Sequence, residues 1–175
     1  FDGNQDNLGG GTPPSQDYVY VGVKVGSTNY KIIGGGSVST LINDKQGNKR
    51  VLFAPEAPEI LFEDYGTGQL VNGIATIEID PLLSSAIHVS NKHPLKVFIQ
   101  LEGNCNGVYV TNKSANGFTV NELNGGRSNV PFSWHLAANR ANTVEDGRLI
   151  SEHVNVRFPI GPNKINRLDI VSNET

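Results

Sequence analysis

Glu78 and Asp80, in the run Ile77-Glu78-Ile79-Asp80-Pro81, are the residues closest to a catalytic pair. Residues i and i+2 of an extended strand share a face. Both carboxylates would therefore leave the strand on one side, as half of a glycosidase site requires. The flanking residues favour a different reading: an exposed strand face that ends at a helix cap, with Asp80 as N-cap and Pro81 at the first helical position. Glu63 and Asp64 are adjacent, so on a strand they face opposite ways and share no site. His88, His93, His135 and His153 form no HxH or HxxxH spacing with a carboxylate, and no zinc set is expected. Cys105, the single cysteine, lies in Leu-Glu-Gly-Asn-Cys-Asn-Gly with no neighbouring base, and reads as a small buried apolar residue. Gly34-Gly35-Gly36 lacks the Gly-Lys-Ser/Thr of a phosphate loop and reads as a bend. Asp2, Asn4 and Asp6 alternate like the start of a calcium loop, but Asn7 and Pro13 stand where glycine and a bidentate glutamate belong. The chain is expected to have no catalytic residues, metal site or cofactor.

Binding needs no such constellation. Asn104, Asn106 and Tyr109 cluster at one turn, and Asn124, Arg127 and Asn129 at another. Asn, Gly and Tyr on loops held by a rigid scaffold suit recognition of polar ligands such as glycans. The same residues also serve plain turn chemistry.

The elements that must carry these turns are short strands. Val19, Val21, Val23 and Val25 alternate with Tyr20 and Lys24, and Gly-Ser-Thr-Asn (26–29) turns this strand back into a hairpin. Ser37–Ile42 and Lys49–Ala54 make a second hairpin around Asn43–Asn48. The Pro55–Pro58 excursion ends it. From Ile60 to Ala138 strands and turns alternate densely. Gly66-Thr67-Gly68, Asn72-Gly73, Asn116-Gly117 and Gly125-Gly126 read as turns, Asn72-Gly73 as a hairpin joining its flanking strands. Val130, Phe132, Trp134, Leu136 and Ala138 form the most apolar stripe, so His135 is expected to face away from Trp134. Residues 139–148 read as a loop, His153–Phe158 as a further strand and Arg167–Val171 as a last one. The pattern predicts an all-β chain, an antiparallel sandwich or barrel of about ten to twelve short strands with at most one short helical turn. The expected division is a tether at 1–16, hairpins at 17–58, a core domain at 59–140 and an extension at 141–175.

Composition narrows the partners. Fourteen Lys and Arg against 17 Asp and Glu give a net charge of −3, without a basic stripe. Nucleic acid and anionic membrane surfaces are poor matches. No apolar run reaches the length of about 18 residues that a membrane-crossing helix needs. The 175 residues include 20 glycines and no methionine, and the chain begins at Phe1, so it is expected to be processed or cut from something longer.

The specific pieces between residues 50 and 140 are Pro58-Glu59 with Asp64, Gly66 and Gly68; Val71-Asn72-Gly73; Ile79-Asp80-Pro81; Cys105 with Gly107; Glu122-Leu123 with Gly125-Gly126; and Phe132 before Arg140. This segment resembles a C-terminal β domain of bacterial and phage fibre-like surface proteins, of tail-fibre or adhesin type. The resemblance implies an extracellular, trimeric, fibre-associated domain without catalytic activity, and supplies no binding residues. The expected function is non-enzymatic attachment or recognition of cell-surface glycans by a homotrimer at the cell surface or on a phage-like particle. The alternatives are a filament subunit or trimerisation cap, built by donor-strand exchange through residues 1–25, and a polysaccharide hydrolase.

Overall fold

A computed structural model describes residues 19–35 and 37–161. The 1–16 tether, with its calcium-like alternation, and the strand expected at Arg167–Val171 lie outside the described residues. The fold is all-β: the described residues form thirteen strands in antiparallel sheets, with one short α-helix and one 3-10 turn.

Pro58–Phe158 forms one compact unit, and the hairpins that precede it belong to a second. In the latter, β1 (Val19–Val25) pairs with β2 (Thr28–Gly34) across Gly26, whose φ of +59° suits the tight turn. β3 (Ser39–Asn43) pairs with β4 (Lys49–Phe53). Asp44 closes that turn: its Oδ1 accepts the Gln46 and Asn48 N–H groups, and its Oδ2 pairs with Arg50 at 3.0 Å. Every residue of β3 and β4 is exposed, including Leu41, Val51, Leu52 and Phe53.

The Pro58–Phe158 unit contains β5 (Leu61–Gln69), β6 (Ile74–Glu78), α1 (Pro81–Ala86), β7 (Ile87–His88), β8 (Lys96–Leu101), β9 (Val108–Ser114), β10 (Gly117–Glu122), β11 (Pro131–Arg140), β12 (Thr143–Glu145) and β13 (Arg148–Ser151). One sheet has β11 at its centre, β5 on one side, and β8 then β7 along the other. The other sheet has the order β6-β10-β9. Alternation sends Phe118 and Val120 of β10 and Phe132, Leu136 and Ala138 of β11 into one shared core with Leu70, Ile79, Ile87 and Leu95. Asp80 caps α1 as its sequence implies, with Oδ1 accepting the Leu82 N–H at 2.7 Å and Pro81 following.

Several local expectations change. Gly66-Thr67-Gly68 is the middle of β5, not a turn. The two glycines stand opposite Trp134 and Phe132, and a Cβ on either would collide with those rings. They give up side chains so that the neighbouring aromatics can lie across the strand. Asn72-Gly73 does form a tight turn, closed by the Val71–Ile74 bridge. It is a corner rather than a sheet hairpin, because β5 goes on to pair with β11 and β6 with β10. Residues 143–151, within and beyond the expected loop, form the β12–β13 hairpin around Asp146-Gly147, both at positive φ. His153–Phe158 is not a strand beyond the single Glu59–Arg157 bridge. The expected boundary at 140 falls inside the compact unit. Asn139 explains part of this: its Nδ2 donates to the Val154 carbonyl and to Glu59 Oε2, both at 3.4 Å, which ties β11 to the later segment.

Candidate functional site

The outward face of the β5-β11-β8 sheet carries the most suggestive arrangement. Strand register places Tyr65, His135 and Phe98 side by side on three neighbouring strands. The rings stack: Tyr65 lies 4.5 Å from His135 at an interplanar angle of 9°, and Phe98 lies 5.5 Å from His135 at 24°. His135 is covered from both sides. The outer members remain open, Tyr65 at 65% and Phe98 at 59% exposure. Core burial explains none of this, because the apolar face of β11 points the other way, where Trp134 meets Phe118 edge-on. The expected opposition of Trp134 and His135 is what the structure has.

Polar groups flank the ring stack. Tyr65 Oη donates to Glu63 Oε2 at 2.7 Å, and this bond raises the phenol's pKa. The same Glu63 oxygen is 3.5 Å from His135 Nε2. The next row across the sheet is Thr67, Ser133 and Gln100, and Ser133 Oγ donates to Glu102 Oε1. On the other side of the stack, the Lys96 ammonium is paired with Glu59, which also holds Arg157 at 2.7 Å. The face therefore offers two open aromatic rings, hydroxyl and amide groups, and the carboxylates of Glu63 and Glu102. It carries no free cation among the described residues.

The loop residues singled out from sequence lie elsewhere, five of the six on loops tied by a buried carboxylate that sequence reasoning did not single out for this role. Glu122, at the end of β10, accepts the Asn106 N–H on Oε1 (3.0 Å) and the Ser128 N–H on Oε2 (2.8 Å). Its own N–H donates to the Gly73 carbonyl at 2.8 Å, and Leu123 N–H donates to the Gly107 carbonyl at 2.9 Å. One residue thus fixes the 72–73 corner, the 103–107 loop and the 124–130 loop. Asn129 is part of this framework, since its Oδ1 accepts the Asn72 N–H at 2.9 Å. Asn124 has φ +55° within the 3-10 turn. Asn104 and Arg127 are exposed on the loops, and Asn106 is held by its backbone. Tyr109 points outward from β9 opposite Asn121, away from the Glu122 cluster. The six residues therefore do not converge on one surface. The signal that could have located Glu122 is an acidic residue in the alternation of β10, on the inward side with Phe118 and Val120.

The remaining chemistry is structural. Asp80 is occupied by its cap, and Glu78 is exposed. Lys92 Nζ and His93 Nε2 both meet Asn155 Oδ1, at 2.8 and 3.2 Å. Cys105 is half-buried, and its Sγ accepts the Gly107 N–H at 3.4 Å. Among the described residues no three His, Cys, Asp or Glu side chains group to hold a metal. No helix among them is long and apolar enough to cross a membrane. No protein-family model, curated protein or solved structure matches the chain.

Acid should lower the stability of the protein over two successive pH ranges. Burial, aided by the Arg140 charge, pushes the His153 pKa below its ordinary 6.5. The unfolded chain then binds a proton that the folded chain refuses, so stability falls as pH drops below 6.5. The Asn106 and Ser128 N–H groups hold the Glu122 carboxyl below 4.5, and Arg157 does the same for Glu59. Their contribution is present above 4.5 and is lost as pH falls through the depressed values. Urea unfolding followed across the acid range should show both declines, and Glu122→Gln should flatten the second.

Proposed function

We propose that the chain is a non-enzymatic fibre or adhesin domain that recognises cell-surface glycans, works outside the cell and assembles as a trimer. The observation that carries the recognition is the Tyr65–His135–Phe98 stack, raised on a sheet face with its outer rings exposed. A pyranose presents C–H groups on its faces and hydroxyls around its rim. Aromatic rings receive the first, while the side chains of Glu63, Thr67 and Gln100 suit the second. Glu63 and Glu102 would repel sialic or uronic acids, so the ligand class is neutral glycans.

Glycan-array binding of the whole chain should favour neutral over sialylated structures. Tyr65→Ala should weaken binding about tenfold, the scale of one aromatic contact. Unchanged binding in Tyr65→Ala, or a preference for acidic glycans, would remove this reading.

Trimeric assembly draws support from the β3–β4 hairpin. A two-stranded hairpin is marginal in water by itself, and this one exposes apolar side chains on both faces. The same feature also favours the second reading, a structural filament subunit. Size-exclusion chromatography with light scattering separates the outcomes: a discrete trimer for the first, open-ended growth for the second.

A further inference from the structure

A groove runs between α1 and the edge strand β5. Phe62, Glu63 and Asp64 line one side and Asp80, Leu82 and Leu83 the other, around a volume of about 620 Å3. Leu82 is 79% exposed, although it belongs to the only α-helix among the described residues. Among the described residues β5 pairs with β11 along one side alone. The Tyr65 N–H on this edge is held by Asp64 Oδ1 at 2.8 Å, a local bond that an added strand would exchange for its own carbonyl. The ion pairs of the described residues bring no Lys or Arg to Glu63, Asp64 or Asp80. The groove is therefore apolar at its floor, acidic at its rim, and bordered by a strand edge that can accept another strand.

The chain itself contains a segment of complementary chemistry. In β4, Lys49, Val51 and Phe53 share one face, and register sets Leu41 of β3 beside Val51 on that face. All are exposed, Phe53 at 70%. Among the described residues β4 pairs with β3 alone. Arg50, on the opposite face, is already committed to Asp44.

We propose that β4 of one copy docks along the β5 edge of a second copy, with Val51 and Phe53 on Leu82, Leu83 and Phe62, and Lys49 against the carboxylates. This is strand addition with an acidic selectivity filter. The contact joins two different surfaces, so it is head-to-tail and closes into a ring when the rotation allows. It rests on the reading that copies of this chain associate, and it names the surfaces that do so.

The test uses two full-length variants altered at exposed positions, Leu82→Glu in the groove and Phe53→Asp on the strand, with circular dichroism to verify folding. Sedimentation velocity should show assembly of the unaltered chain and at least about a tenfold loss in each variant alone. Mixed in equal amounts, the variants retain one intact groove and one intact strand between them, and should form a one-to-one heterodimer that neither forms by itself. Assembly of Leu82→Glu at the unaltered strength, or a mixture without heterodimer, overturns the docking while leaving association itself standing. A monomeric unaltered chain overturns both.

Discussion

Phe132→Ala is expected to lower the unfolding free energy of the Pro58–Phe158 unit by about 3–5 kcal/mol, the usual cost of removing a fully enclosed phenyl ring. The ring has no solvent exposure and sits in the central strand of its sheet, among side chains from both sheets. Relaxation cannot easily fill the space. Of its two cross-strand partners, Gly68 and Leu101, the first has no side chain to move in, and β11 is held on both sides by β5 and β8. Urea denaturation should show the loss as a lower midpoint with an unchanged slope. Gly68 provides the coupled control. A Cβ there would overlap the Phe132 ring, so Gly68→Ala should destabilise the unaltered protein and cost clearly less in a Phe132→Ala background. Strictly additive losses would show that the two positions do not share the space described.

Gly73→Ala should be comparably severe, at about 3 kcal/mol. Two penalties act together. The residue has φ +82°, where a Cβ is strained, and that Cβ would run into the backbone carbonyl of Gly126. The carbonyl cannot retreat freely, because the 126–128 segment is fixed by the Glu122 carboxylate and by the Gly73 N–H bond to the Ser128 carbonyl at 2.9 Å. The damage should reach beyond the turn. Amide exchange should speed up at Asn106 and Ser128, whose N–H groups depend on a correctly placed Glu122. An effect confined to the 71–74 turn would argue that the three loops are not tied through one residue.

Period-two patterning was legible wherever one face of a strand is buried and the other solvated. That covers β11, together with the cap at Asp80; β1 alternates in the same way although none of its residues is fully buried and Val21 is 65% exposed. Sequence reading failed where a residue's role depends on a partner distant in the chain. Gly66 and Gly68 look like turn residues until Trp134 and Phe132 are placed across from them. Asn72-Gly73 specifies a sharp reversal locally, but which sheet each arm joins is decided by β10 and β11. The Asp146-Gly147 hairpin was legible, since Asp-Gly is a strong turn signal; polar composition obscured it. Tyr65, His135 and Phe98 are separated by tens of residues, and only the register of three strands brings them into one row. The loop asparagines attracted notice by composition. Their backbone and side-chain bonds show how readily turn-forming residues imitate recognition residues.

Trp134 is the only tryptophan of the chain, and its indole stands 5.7 Å from Phe118 of the opposite sheet at an angle of 80°. Its Nε1–H is buried without a partner among the described residues. A single indole bridging both sheets in an apolar setting is an intrinsic optical gauge. Its emission should lie toward the blue while the sheets stay together and move to the red when they part. Separation of the sandwich could then be followed without any label, in the same sample used to test the proposed glycan binding on the far side of β11.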